Sequence, residues 1–93
     1  MKQYELGEFK YQLIKEVGEA FDFETVKEKV TDFFAVYDYI VGDWAYGKLR
    51  LKGFNNKGSK TFNKINDYAH IDKYILENCA YGCRYFILEK IKD

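Results

Sequence analysis

The chain has one histidine and two cysteines in 93 residues. A closed zinc site needs four ligands, so these side chains do not supply one. No apolar run approaches the roughly 20 residues of a membrane-spanning helix. The opening Met1-Lys2-Gln3-Tyr4-Glu5 lacks the apolar stretch of a secretion signal, which predicts a cytoplasmic protein with reduced cysteines. Gly53 and Gly58 do not form a phosphate loop, and no Gly-Lys-Ser/Thr follows them. Neither Ser59 nor a cysteine is placed beside a base, so the sequence marks no nucleophile and calls for no cofactor. The net charge is zero and the pI is about 6.6. This excludes the uniformly basic profile of an obligate nucleic-acid binder, whose domain pI usually lies above ~9.

Acids are also missing from one particular stretch. Between Lys48 and Lys64 stand six bases, Lys48, Arg50, Lys52, Lys57, Lys60 and Lys64, and no carboxylate. Because bases and acids number 15 each over the whole chain, the remainder carries a matching acidic surplus. The chain is electrically polarised along its length. Aromatic residues, in contrast, are abundant: nine Tyr, eight Phe and one Trp. They supply bulky core material, and the tyrosine excess predicts rings half buried with their hydroxyls in water. With 47% hydrophobic and 32% charged residues, the composition is that of one ordered domain spanning 1–93.

Phe9 to Val17 alternates apolar and polar residues with the period of a half-buried strand. After Gly18, Asp22 reads as a helix N-cap accepting from first-turn amides, with Phe21 and Val26 as a hydrophobic staple. Val26, Val30, Phe33, Phe34 and Tyr37 follow at helical spacing. Tyr39–Trp44 and Lys48–Phe54 read as two strands joined at Tyr46-Gly47. With a two-residue turn, Asp43 faces Arg50 and Trp44 faces Leu49. Ile40, Trp44, Leu49 and Leu51 then share one face, while Lys48, Arg50 and Lys52 form a row on a solvent face. Asn55 to Asn63 has the composition of an exposed, mobile loop. A second helix is predicted from Asn66 or Asp67 through Cys79, ending before Gly82. Cys83 to Ile91 is a last strand whose continuous Tyr85-Phe86-Ile87-Leu88 predicts coverage on both faces. The expected class is α+β: a two-layer sandwich of about four mainly antiparallel strands with two helices, in the order β-α-β-β-α-β.

The hairpin Tyr39-Ile40-Val41-Gly42-Asp43-Trp44, its continuation Tyr46 to Phe54, and the ending Asn78-Cys79-Ala80-Tyr81-Gly82-Cys83-Arg84-Tyr85-Phe86 resemble the YutD-like family of small bacterial proteins. The resemblance runs from about Phe9 to Lys92. It implies a compact α/β cytoplasmic domain and carries over neither an activity nor catalytic residues.

The functional surface expected from these readings is the basic strand and loop, Lys48, Arg50, Lys52, Lys57 and Lys60, with Tyr46 and Phe54 as ring contacts. It suits a non-catalytic binding or regulatory module whose partner is nucleic acid or another polyanion. The bland account is a solvated face neutralised by the acids of Glu16 to Asp32. The alternative function is a protein-interaction adaptor or homodimer using Tyr37, Tyr39, Tyr74 and Tyr81. Cys79 and Cys83 read as small packing residues at a helix-to-strand junction, with a reversible disulfide across Gly82 as the other option. His70 reads as a surface side chain, and Asp43 with Arg50 as an exposed cross-strand pair.

Overall fold

The computed structural model describes residues 2–60, 62–78 and 83–91, with the side chains of Asp32 and Asn78 excepted. Its five strands are β1 (Gln3–Leu6), β2 (Phe9–Val17), β3 (Tyr39–Ala45), β4 (Lys48–Phe54) and β5 (Tyr85–Lys90). They form one sheet in the order β1-β2-β5-β3-β4. Every neighbouring pair is antiparallel.

The fifth strand corrects the expectation of about four. β1 pairs with β2 through Leu6↔Phe9, turning at Gly7-Glu8. Its inward residues are Tyr4 and Leu6, too few to show a period, so a four-residue edge strand left little pattern to read.

β3 and β4 meet in the expected register, with Asp43 opposite Arg50, Trp44 opposite Leu49 and Ala45 opposite Lys48. Tyr46 and Gly47 both take positive φ, 54° and 75°, the geometry of a two-residue turn that matches strand twist.

The first helical stretch divides in two. Helix α1 spans Phe23–Lys29, and a separate 3-10 turn spans Asp32–Val36. Between them Val30 and Thr31 are extended. Both are β-branched, and branching at Cβ favours that backbone over a continued helix. Asp22 is the N-cap residue, but its side chain caps no backbone amide; it accepts from the Thr25 hydroxyl instead, at 3.1 Å. Further along, Asn63 caps the 3-10 turn Lys64–Asn66, and the Asp67 side chain accepts from the Ala69 amide at 2.9 Å. The 3-10 turn Tyr68–His70 then runs into helix α2, Ile71–Asn78.

The sheet is covered on both faces. On one side Val26 and Val30 pack with Ile40, Leu49, Phe86 and Leu88. On the other, Ile71, Tyr74 and Ile75 pack with Tyr39, Val41, Phe54 and Ile87. The helices therefore lie on opposite faces, and the two-layer sandwich is corrected to helix, sheet, helix. Consecutive apolar residues in the inner strands require this: Tyr39-Ile40-Val41 and Phe86-Ile87-Leu88 are all buried, and neighbours in a strand point to opposite faces. Double coverage of β5 agrees with its continuous apolar run. At Gly42 the Phe86 ring lies where a Cβ would stand, so the strand tolerates no side chain there.

Candidate functional site

β4 is an edge of the sheet, and the basic residues are strung along it. Tyr46 stands fully exposed at the turn, Lys48 and Arg50 are exposed, and Lys52 is half-buried. Lys57 and Lys60 are exposed beyond the far end of the strand. A seven-residue strand is roughly 20 Å long, so these side chains form a line rather than a pocket.

Three details differ from the expected solvent face. Lys48, Arg50 and Lys52 share their side of β4 with Phe54, which is 1% exposed and packs edge-on against Tyr74 of α2 at 5.3 Å. Phe54 is a core residue and offers no free ring; Lys52 Nζ lies over it at 5.3 Å. The row thus flanks the α2-covered core instead of an open sheet face. Second, the Asp43–Arg50 pair is exposed on the arginine side alone. The Asp43 side chain is 4% exposed while that of Arg50 is 47% exposed. Arg50 Nη2 donates to Asp43 Oδ2, and Asp43 Oδ1, also buried, has no hydrogen-bond partner among the described residues. The bond to Asp43 holds the guanidinium pKa above its ordinary value.

The loop after β4 is the third. Asn55 is fully buried. Its side-chain oxygen accepts from the Asp38 amide at 2.8 Å, its own amide donates to the Asn66 carbonyl at 2.7 Å, and its carbonyl accepts from the Tyr68 amide at 2.9 Å. Buried Asp38 holds the next residues, its Oδ2 accepting from the Asn56 amide at 2.9 Å and from the Ser59 hydroxyl. Lys57 and Lys60 are therefore carried on a turn that is pinned at Asn55, Asn56 and Ser59. A loop-like composition concealed this, because Asn, Ser and Asp serve equally as exposed polar groups and as buried hydrogen-bond hubs.

The tyrosines expected at an interface are placed differently from one another. Tyr37 and Tyr74 are half-buried, Tyr39 is buried, and Tyr81 lies outside the described residues. Tyr39 stacks on Tyr68 at 3.6 Å and donates to Glu89 Oε2 at 3.0 Å. Burial raises the pKa of Tyr39, Tyr68 and Tyr74 above the ordinary phenol value. The exposed apolar ring that sequence reading passed over is Phe33, 67% exposed, which meets Phe34 edge-on at 5.1 Å. Helical spacing had assigned it to a buried stripe.

His70 is exposed. Cys83 is half-buried and disulfide-bonded, which corrects both the reduced-thiol and the simple packing reading at that position. Cys79 and Gly82 lie outside the described residues. Among the described residues no three of His, Cys, Asp and Glu converge as metal ligands, and no helix is long and apolar enough to cross a membrane. A hollow of about 350 Å³ lies where Gln12, Tyr39 and Glu89 meet Asp38 and Asn56. Nothing in the chain order of these residues marked it.

The whole chain superposes on the solution NMR structure of protein yutD from Bacillus subtilis with a TM-score of 0.82 and 34% identity, covering 84% of that chain. In sequence it is 39% identical over 82 residues to a Bacillus subtilis (strain 168) protein described as "Putative antitoxin YutD", spanning 88% of this chain and 90% of that one. The family model described as "Putative antitoxin YutD-like" matches residues 5–89. A relative and a family model that each span nearly all of the chain, together with a shared fold, establish that this protein belongs to the YutD-like family.

Proposed function

We propose that the chain is a non-catalytic binding module that holds a protein partner against its basic β4 side. The observation that carries this reading is the line of cations along an edge strand, with Arg50 held by buried Asp43 at its centre. An arginine fixed in this way is pre-organised to meet a carboxylate, because less rotamer freedom is lost on contact. The word antitoxin in the relative's description suits such a role, since neutralising a toxin calls for binding. A homodimer through the expected tyrosines is less well supported, because Tyr39 is spent on the core.

One observation favours a polyanion as a second reading. Lys48, Lys57 and Lys60 are exposed and make no ion pair among the described residues. Buried Phe54 removes one of the two expected stacking rings, while exposed Tyr46 at the turn keeps the other.

The test uses the wild-type chain and a Lys48→Glu/Lys52→Glu variant as parallel baits in one cell extract. A protein retained by the wild type and lost by the variant supports the reading. Nucleic acid retained in its place, and released by nuclease, supports the polyanion. Equal retention by both baits removes β4 from the function.

A further inference from the structure

We propose that the outer edge of β4 is a strand-addition site for an extended segment of a protein partner in which acidic and apolar residues alternate. This deepens the protein-binding reading and rests on it.

The turn sets the hydrogen-bonding parity of β4. In a two-residue hairpin the flanking pair, here Ala45 and Lys48, exchanges hydrogen bonds, and alternate pairs do the same along the ladder. Asp43↔Arg50 and Val41↔Lys52 are then bonded pairs, and the amide and carbonyl groups of Leu49 and Leu51 point away from β3. The chain provides an internal check on this parity at Asn55. Its outward amide and carbonyl bond Asn66 and Tyr68, making a parallel bridge between Asn55 and Asp67. The chain itself already lays a short segment on this edge, and among the described residues no strand continues alongside Leu49 and Leu51.

The two sides of the edge ask for different chemistry. Toward α2, Lys48, Arg50 and Lys52 stand at alternate positions. Toward α1, a hollow of about 220 Å³ opens between Lys29, Phe34, Leu49 and Leu51. Exposed Phe33 stands beside Phe34. Side chains of an added strand alternate between faces, so one set would meet the cations and the next would meet the hollow. A second copy of the same edge is a poor occupant, because it sets Lys48, Arg50 and Lys52 against their own kind, and like charges directly opposite destabilise a strand pair. Lysines on an edge also guard against unwanted pairing. A guard alone, however, requires neither the hollow nor the exposed Phe33 beside it.

The experiment titrates the isotope-labelled full chain with a capped peptide of Glu-Val-Glu-Leu-Glu core, following amide shifts and hydrogen exchange. Two control peptides carry N-methyl groups on the backbone amides that would bond β4, or lysine in place of glutamate. Saturable shifts at Leu49 and Leu51 are expected, with exchange of their amides slowed about tenfold and both controls about tenfold weaker. In the Lys48→Glu/Lys52→Glu variant the preference should reverse toward the lysine peptide. Equal binding of the N-methylated and parent peptides overturns strand addition while leaving an acidic-partner site on this face. No shift with the parent peptide near millimolar concentration also overturns the proposal. The paired-bait capture decides separately whether any protein uses β4.

Discussion

Asp43 and Arg50 face one another across β3 and β4, and only one of them reaches water. The carboxylate is enclosed while the guanidinium lies half open, and one carboxylate oxygen has no partner among the described residues. The pair therefore ties the exposed rim of β4 to the interior beneath α2.

Removing the cation should cost more than removing the carboxylate charge. Arg50→Ala leaves both Asp43 oxygens buried without a donor among the described residues, so it should lower the unfolding midpoint. Asp43→Asn, which keeps an acceptor for Arg50, should cost less. Lys48→Ala, at an exposed position, should stay within about 0.5 kcal/mol of wild type. Urea unfolding midpoints of the three variants test the order, and equal midpoints for Arg50→Ala and Lys48→Ala would refute it.

At Gly42 a methyl group would overlap the Phe86 ring, itself fully buried. Gly42→Ala should destabilise by about 1–3 kcal/mol or more through overpacking. In Gly42→Ala/Phe86→Leu the smaller side chain returns space, so the double variant should be less destabilised than the sum of the two singles. A strictly additive cycle in chemical denaturation would show that the strand moves rather than clashes.

Asn55 is the third position to test. Asn55→Ala removes one of the two acceptors of the Asp38 amide, which keeps the Phe54 carbonyl at 3.0 Å, so the loss should be that of one buried hydrogen bond, about 0.5–1.5 kcal/mol. Asp38→Asn should leave most of that stability in place and loosen the turn that carries Lys57 and Lys60. Hydrogen exchange at the Asn56 amide is the readout, and unchanged protection there would dismiss Asp38 as the pin.

The buried phenols set a limit on the alkaline side. Burial raises the pKa of Tyr11, Tyr39, Tyr68 and Tyr74 in the folded chain. In the unfolded chain these groups ionise near the ordinary value of about 10. Below that value both states hold the protons and stability is flat. Above it the unfolded state releases protons first, so stability falls as pH rises toward the folded values. Denaturation at about pH 9 and pH 11, with phenolate absorbance followed in parallel, tests the sign.

The hairpin register was legible because three independent signals agreed: a Gly in the turn, an apolar set on one face, and an acid opposite a base. Which face met water was not, because alternating Lys and Leu in β4 looks the same whether the lysines cover a helix-packed core or bare solvent. Phe54 carried the missing signal. It shares its side with Arg50 and Lys52, and an apolar residue at that parity marks a second core. The first helix ends earlier than its spacing predicts for a similar reason: apolar residues recur at helical intervals past Thr31, but the β-branched pair Val30 and Thr31 is extended. Of the expected site, the cations stay together along one edge and Tyr46 stays accessible at the turn, whereas Phe54 is withdrawn into the interior and Phe33 is exposed in addition.

The placement of β5 has a consequence for how the molecule is made. The β1–β2 and β3–β4 hairpins are local, and β5 alone joins them, hydrogen-bonded to β2 on one side and β3 on the other. A ribosome releases β5 after the four strands it unites. Until then the nascent chain holds two separate ribbons with bare inner edges, and the long-range closure that completes the sheet is the slow and aggregation-exposed step.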